Sequence, residues 1–293
     1  MRITNNAKLP MPFVRMAEDN YISTPKRYSV TTLLKPVREI LLKRRYEQEY
    51  EQDCSDMIWL LFGKAVHAIL EQYGTGENEF VEERLDCKLD NGYTISGIID
   101  FYDIDKGEIV DYKTASAWKV LYKDYSDWKK QGLMYAWLLK QYALPCDKVV
   151  FYAILKDWQK TKAQFTSDYP KSPVEKVEFY VTDQELEETD QFIRAKINEI
   201  IQYEDKPDEE LPLCSLEDRW NDGDKFAVMK KGRKTALRVL DTLEEAETYK
   251  EEKGGDYIET RKGTDKKCID YCLCCTKCAH WQSLQEQKEV SNE

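Results

Sequence analysis

With 293 residues the chain is long enough for one large domain with a real core, or for a core domain plus a small appendage. Charged residues make up 34%, but seven Trp and nineteen Tyr argue against a disordered chain. The net charge of −11 argues against a passive nucleic-acid coat, which would be basic. It leaves room for an enzyme that holds divalent cations in a carboxylate cluster.

In chain order, residues 1–28 are polar and read as an irregular arm. Residues 29–52 read as a helix carrying Leu33, Leu34, Val37, Ile40 and Leu41, and a second helix is predicted from Asp56 to Tyr73, ended by Gly74 and Gly76. Three short strands follow, Phe80 to Leu89, Tyr93 to Asp100 and Glu108 to Lys113. The turns Asp90-Asn91-Gly92 and Asp105-Lys106-Gly107 join them into an antiparallel meander. A helix from Ser126 to Tyr142 ends before Pro145. The continuous apolar run Val149 to Leu155 reads as a strand buried on both faces. After a strand at Val174 to Val181, the capping box Thr182-Asp183-Gln184-Glu185 opens a helix to about Tyr203. The expected fold is a mixed α/β core, a central sheet flanked by helices. Composition shifts at Pro207. The expected division is an arm at 1–28, a core at 29–206, a small cysteine-rich module at 207–280 and a polar tail at 281–293. No run of eighteen apolar residues and no signal-peptide core are present, so no membrane partner is expected and a cytoplasmic setting is. Nine Cys in such a setting point to metal binding rather than disulfides.

The chemistry-bearing constellation is Gly97-Ile98-Ile99-Asp100 followed by Asp111-Tyr112-Lys113. Side chains two apart on a strand share a face, so Asp111 and Lys113 point together while Val110 and Tyr112 turn into packing. The hairpin can bring Asp100 beside Asp111. Two carboxylates and a lysine suit phosphodiester hydrolysis: the carboxylates are hard ligands for Mg²⁺ or Mn²⁺, and the lysine orients water or stabilises the phosphorus centre. Asp-x-Lys alone is commonly a solvated strand edge. Its surroundings add His67, in Gly63-Lys64-Ala65-Val66-His67, as a third metal ligand, and Gln131 with Tyr135, four apart on one helix face.

This order of motifs, spanning about Gly63 to Tyr135, resembles the RecB-type branch of the PD-(D/E)XK nucleases. The resemblance implies a restriction-endonuclease-like α/β core, metal binding by His67, Asp100 and Asp111, catalysis by Lys113, and DNA holding by Gln131 and Tyr135. Glu82 or Glu83 corresponds to an auxiliary acid of some members.

Cys268, Cys272, Cys274, Cys275 and Cys278 fall within eleven residues. Cys272-x2-Cys275-x2-Cys278 resembles part of a ferredoxin-type loop. Cys268-x3-Cys272-x5-Cys278 resembles the C-terminal three-cysteine clasp of RecB-like nucleases, which close an iron–sulfur cluster with a distant fourth Cys; their first spacing is usually two residues rather than three. Cys54 would fit the slot before the His motif. Cys214 is favoured, because Leu213-Cys214-Ser215 to Arg219-Trp220 and then Phe226 to Lys230 resemble the C-terminal region of phage-encoded relatives. The expected ligand set is Cys214, Cys268, Cys272 and Cys278, for an iron–sulfur cluster or alternatively Zn²⁺. Cys54, Cys274 and Cys275 are reserves, and Cys87 and Cys146 are expected to be structural.

The expected function is a Mg²⁺- or Mn²⁺-dependent deoxyribonuclease, an exonuclease acting on DNA ends or single strands, with replication or recombination proteins as further partners, in a host cytoplasm if phage-encoded. Trp118, Trp128 and Trp158 are candidate channel aromatics, and Lys225 to Lys234 a candidate phosphate track. The alternative is a DNA-binding or assembly subunit with a structural metal site.

Overall fold

The computed structural model describes residues 1–19, 23–74 and 76–292, with side chains to Glu286. Parts of the expected arm (residues 20–22) and the end of the expected polar tail therefore lie outside the described residues. The chain forms two compact units, Met1–Lys35 with Arg44–Asp205, and Pro36–Lys43 with Lys206–Glu293.

Residues 1–28 are not an irregular arm. They form β1 (Arg2–Thr4), α1 (Met11–Glu18) and β2 (Arg27–Ser29). Several of their apolar residues pack: Val14 and Ala17 close on Cys54 and Met57 in a satellite core, and Tyr28 is buried, stacked on Tyr93 at 6.2 Å. The single helix expected over 29–52 is two, α2 (Val30–Leu33) and α3 (Val37–Arg45), followed by β3 (Glu51–Asp53). Pro36 separates the helices, because its ring and missing N–H cannot continue a helix from the preceding turn.

The rest of the first unit follows the predicted order: α4 (Ile58–Glu71), β4 (Glu79–Lys88), β5 (Thr94–Asp103), β6 (Glu108–Ala115), α5 (Ala117–Tyr122), α6 (Ser126–Gln141), β7 (Lys148–Leu155), α7 (Lys160–Phe165), β8 (Val174–Tyr180) and α8 (Asp183–Tyr203). The short helices α5 and α7 were not predicted; six residues carry too little periodicity to read. The Thr182–Glu185 capping box opens α8 as expected.

These strands form one mixed sheet in the order β2-β5-β6-β7-β8, with β4 on the other edge of β5. β4, β5 and β6 are the antiparallel meander, and β6 and β7 run parallel. Val149, Val150, Phe151 and Ala153 of β7 are all buried, which the uninterrupted apolar run foretold. Met134, Trp137, Leu138 and Leu139 of α6 complete this core, with Ile193, Ile197 and Ile200 of α8 also buried at helical spacing. Each such side chain stabilises the fold by roughly 1.5–3 kcal/mol relative to exposure. Close approach of α6 depends on Gly132, where a Cβ would meet Val149 Cγ1 at 2.8 Å.

The second unit contains β9 (Lys225–Met229) between β10 (Arg238–Leu240) and β11 (Tyr257–Arg261), with α9 (Leu243–Lys253) between β10 and β11 in the chain. It continues with α10 (Lys266–Asp270), a 3-10 turn at Cys275–Lys277 and α11 (Ala279–Asn292). Among the described residues, no helix is long and apolar enough to cross a membrane.

Candidate active site

The site grows from an interruption in the sheet. One edge of β5 is paired with β4 along its length. Its other edge pairs with β2 at Thr94–Ser96 and with β6 at Phe101–Asp103. Residues 97–100, the Gly-Ile-Ile-Asp motif, fall between these two pairings, so β5 faces a window there. Ser29, Val30, Thr31, Ser96, Gly97, Ile98, Arg84 and Tyr135 line a pocket at this window. Gly97 is required by packing: a Cβ would lie 2.8 Å from both Leu138 Cδ1 and Tyr135 Cε1.

Register then lines up the acids. The β4–β5 ladder pairs Val81 with Phe101 and Glu83 with Ile99, which sets Glu82 opposite Asp100. Continuing the β5–β6 register by one residue beyond Phe101–Val110 sets Asp100 opposite Asp111. Three carboxylates thus form one row across three strands. Glu82 has φ +49°, the left-handed region that an ordinary side chain enters at a cost, and the ladder skips its pair at this point. The sequence left Glu82 and Glu83 as alternatives, and the register selects Glu82.

His67 arrives from α4, its Nδ1 3.3 Å from Asp100 Oδ1 and 3.6 Å from Glu82 Oε1. The ligand atoms of His67, Glu82 and Asp100 lie within 4.8 Å of one another, a candidate divalent-metal site. Asp100 Oδ2 accepts the Tyr112 backbone N–H at 2.8 Å, so the carboxylate fixes itself where the strands part. Asp111 is buried; its Oδ2 accepts from Gln131 Nε2 at 3.3 Å, and Gln131 Nε2 also donates to Tyr135 Oη at 3.0 Å. Lys113 Nζ lies 2.6 Å from Asp111 Oδ1, as the two-residue spacing predicts, but the contact is not an aligned hydrogen bond and Oδ1 is buried without one.

The electrostatics describe a site short of positive charge. The Asp100 hydrogen bond, with the charges of Asp100, Asp111 and Glu82, pushes His67 up to about 9 against its partial burial. Burial, then the neighbouring Asp100, raises Glu82. Burial raises Asp111 above the usual carboxylate range, with Lys113 opposing the effect. Like charges directly opposite on paired strands are destabilising. A divalent cation held by His67, Glu82 and Asp100 would relieve this row, so these residues fit a metal.

The structure brings His67, Glu82, Asp100, Asp111, Lys113, Gln131 and Tyr135 together. It distributes the expected channel aromatics differently. Trp128 is buried between Tyr125 and Phe151, because its ring completes the core under β7. Trp158 is tied down by its indole N–H to Pro170 O at 2.8 Å. Trp118 is exposed. The Lys225–Lys234 stretch lies in the second unit, where Lys225 pairs with Asp241 at 2.6 Å.

Within that second unit the cysteines gather on irregular backbone. Burial, then the neighbouring Cys278, Asp218 and Cys272, pushes the Cys214 thiol up to about 12. Burial, then Cys272, Asp265 and Cys278, pushes Cys268 up to about 11. Cys272 is lowered by hydrogen bonds from Cys274 and Cys275. Cys214, Cys268, Cys272, Cys275 and Cys278 thus perturb one another, although among the described residues no three of their sulfurs lie within 4.8 Å of one another. Arg38 Nη1 donates to Cys278 Sγ at 3.7 Å, and its other nitrogens donate to Leu211 O and Pro212 O. Cys274 is buried, its thiol directed to Glu39 O at 3.6 Å. Cys54 belongs to the first unit and donates to Asn5 Oδ1 at 3.4 Å.

Residues 74–216 match the sequence profile of the PD-(D/E)XK nuclease superfamily. No protein of curated function matches the chain. Among solved structures, SSO0001 is similar at 17% identity and TM-score 0.47, covering 68% of this chain and 88% of that one. An alkaline exonuclease from Laribacter hongkongensis is similar at 10% identity and TM-score 0.38, covering 60% and 89%. A phage-related exonuclease from Haemophilus somnus 129PT is similar at 14% identity and TM-score 0.31, covering 66% and 78%.

Proposed function

This chain belongs to the PD-(D/E)XK nuclease superfamily, and from that premise we propose that it is a Mg²⁺- or Mn²⁺-dependent deoxyribonuclease, an exonuclease working on DNA ends or single strands. The observation that carries the reading is the row of Glu82, Asp100 and Asp111 across three strands, with Lys113 on Asp111 and a buried Asp111 oxygen lacking a hydrogen bond.

His67, Glu82, Asp100 and Asp111 would hold the metal, which when bound activates water and neutralises charge on the phosphate. The chain's own groups do the positioning. The Tyr112 N–H fixes Asp100, and Gln131 fixes Asp111 while bridging to Tyr135. Lys113 keeps its ammonium beside Asp111, where it can hold the attacking water in line and stabilise the negative charge that grows on the phosphoryl oxygens.

The same reading assigns residues 29–206, apart from the 36–43 segment that packs with the second unit, to the nuclease core and 207–280 to a module stapled by an iron–sulfur cluster, or zinc, on Cys214, Cys268, Cys272 and Cys278. Phage DNA replication or recombination in a host cytoplasm is the setting this activity would serve. Incubating the protein with linear and with circular DNA in Mn²⁺, beside Lys113→Ala, tests the proposal. Loss of linear DNA only with the intact protein, and persistence of circles, is expected. Absence of cutting on any DNA by cluster-loaded protein would sink it.

A further inference from the structure

The charge of the chain is unevenly placed. Residues 113–171 hold eleven lysines against five aspartates, with no arginine, glutamate or histidine, a net +6 inside a chain of −11. Much of this charge is uncompensated: Lys123, Lys130, Lys156, Lys160 and Lys162 form no ion pair among the described residues, while Lys171 donates to Ala163 O at 2.9 Å and Thr166 O at 2.8 Å. The nearby acids are engaged locally. Asp157 accepts Ser116 Oγ at 2.6 Å and the Ala117 N–H at 2.7 Å, Asp127 pairs with Lys119 at 2.7 Å, and Asp124 accepts Ser126 Oγ at 2.8 Å.

The same segment exposes aromatic rings. Trp118 and Tyr122, one helical turn apart on α5, are stacked at 6.0 Å with an interplanar angle of 25°, yet 56% and 75% exposed. They are not a frayed surface feature. The Ser116 cap and the Asp157 clamp fix the start of α5, and Lys123 closes it in the left-handed conformation. β6, which carries Asp111 and Lys113, runs directly into this helix. Beside it, at the same carboxyl end of the parallel pair β6–β7, Lys156 Nζ sits 4.0 Å from the centre of the exposed Trp59 ring. Carboxyl ends of parallel strands are where α/β sheets hold ligands.

We propose that Trp118 and Tyr122 form a stacking ledge for the bases of a single DNA strand, whose phosphates lie along the unpaired lysines of 113–171. This rests on the nuclease reading, narrows its substrate to single strands and names two specificity residues. Unpaired bases have free faces that stack on exposed rings, whereas in a duplex those faces are covered; Lys123 at the end of α5 and Lys156 beside the Asp157 clamp open the lysine-rich stretch that supplies the phosphate term. A protein partner would be served by the rings but would not need this excess of uncompensated lysine.

The test uses the full-length protein with fluorescein-labelled oligothymidylate and a labelled blunt duplex, read by anisotropy in Ca²⁺, together with degradation of both in Mn²⁺. Trp118→Ala/Tyr122→Ala should weaken oligothymidylate binding by about tenfold or more and leave duplex binding within twofold. Trp118→Phe/Tyr122→Phe should retain most of the affinity. Equal loss on both DNAs, or no loss on either while the intact protein binds and cuts, overturns the ledge and leaves the nuclease standing. Intact protein that neither binds nor cuts any DNA overturns both. A change in oligomeric mass of the Ala variant with unchanged DNA binding overturns the ledge in favour of a contact between copies.

Discussion

The two units place their chemistry on opposite kinds of scaffold. In the first, Glu82, Asp100, Asp111 and Lys113 ride on paired strands whose register is enforced by a buried core. In the second, Cys268, Cys272 and Cys278 sit on a five-residue helix, a turn and the approach to α11; residues 206–293 bury few apolar side chains, chiefly Leu211, Ala227, Val228, Met229 and Ala246, and Val37, Ile40, Leu41 and Leu42 of the 36–43 segment supply the rest of that unit's core. A site on a packed sheet is pre-organised before its ligand arrives. A site on loops needs the ligand, or many polar ties, to exist at all. The ties are visible: Arg38 donates to two backbone carbonyls, Lys267 pairs with Glu39 at 2.9 Å, and Asp265 gathers Arg219, Asn221 and His280.

The contrast breaks most completely at the first unit's chemistry. Lys113→Ala, Asp100→Asn and Asp111→Asn should each lower Mn²⁺-dependent DNA degradation by about a thousandfold, the upper range for loss of a transition-state stabiliser, while the circular dichroism spectrum stays native. Unfolding of these variants would mean that the row is structural. In the second unit the expected effect is on folding instead. Cys268→Ser or Cys278→Ser should expose residues 206–280 to limited proteolysis and leave a protected fragment carrying residues 44–205. Metal-site binding is worth about 10–16 kcal/mol in small zinc modules, far more than this unit's core can replace. Uniform digestion of both units would contradict the comparison.

The same difference explains what the sequence made legible. Asp111 and Lys113 could be paired from the two-residue repeat of a strand, and Gln131 and Tyr135 from the four-residue repeat of a helix, because both follow one regular element. Glu82 could not be chosen over Glu83, since alternation fails where the backbone turns left-handed and the ladder skips a pair. The window at residues 97–100 was hidden for another reason: it is framed by β2, a parallel pairing across more than sixty residues that leaves no local pattern. Residues 36–43 give no sign in sequence that they pack with residues 206–293, since Arg38 and Glu39 read as ordinary charged positions of a surface helix.

Glu82 offers a sharper cut within the first unit, because its two roles have opposite signs. Glu82→Gly removes a metal ligand but relieves left-handed strain of about 1–3 kcal/mol, against about 0.5–1 kcal/mol of added unfolded-state entropy. Urea unfolding in chelator should therefore find the variant at least as stable as the parent. Calorimetric titration should find Mn²⁺ bound at least about tenfold more weakly, since even the groups that merely orient a metal's ligands are worth that much. Glu83→Gly should do neither. A variant that is both less stable and unchanged in Mn²⁺ affinity would make Glu82 an ordinary strand residue.

The smallest expected effect probes the second unit's polar ties through pH. Burial alone would raise Asp265, but the hydrogen bonds from Asn221 and His280 and the Arg219 charge outweigh it and hold the carboxyl below the usual range. A carboxylate lowered in the folded state contributes stability that is fully present above its unfolded value of 3.8 and is lost as pH falls through the lower folded value. Acid titration should therefore loosen this unit only below the ordinary carboxylate range. Trp220, half exposed and tilted against Tyr271 at 5.1 Å, sits one residue from both Arg219 and Asn221 and makes its fluorescence a local reporter. In Asp265→Asn, which keeps an acceptor oxygen but not the charge, that acid-dependent change should disappear and the unit should be weakened by about 1–3 kcal/mol at neutral pH, the scale of a hydrogen bond to a charged group. A fluorescence transition that persists unaltered in the variant would assign the acid sensitivity to other carboxylates and remove Asp265 from the ties that hold the cysteine-bearing backbone.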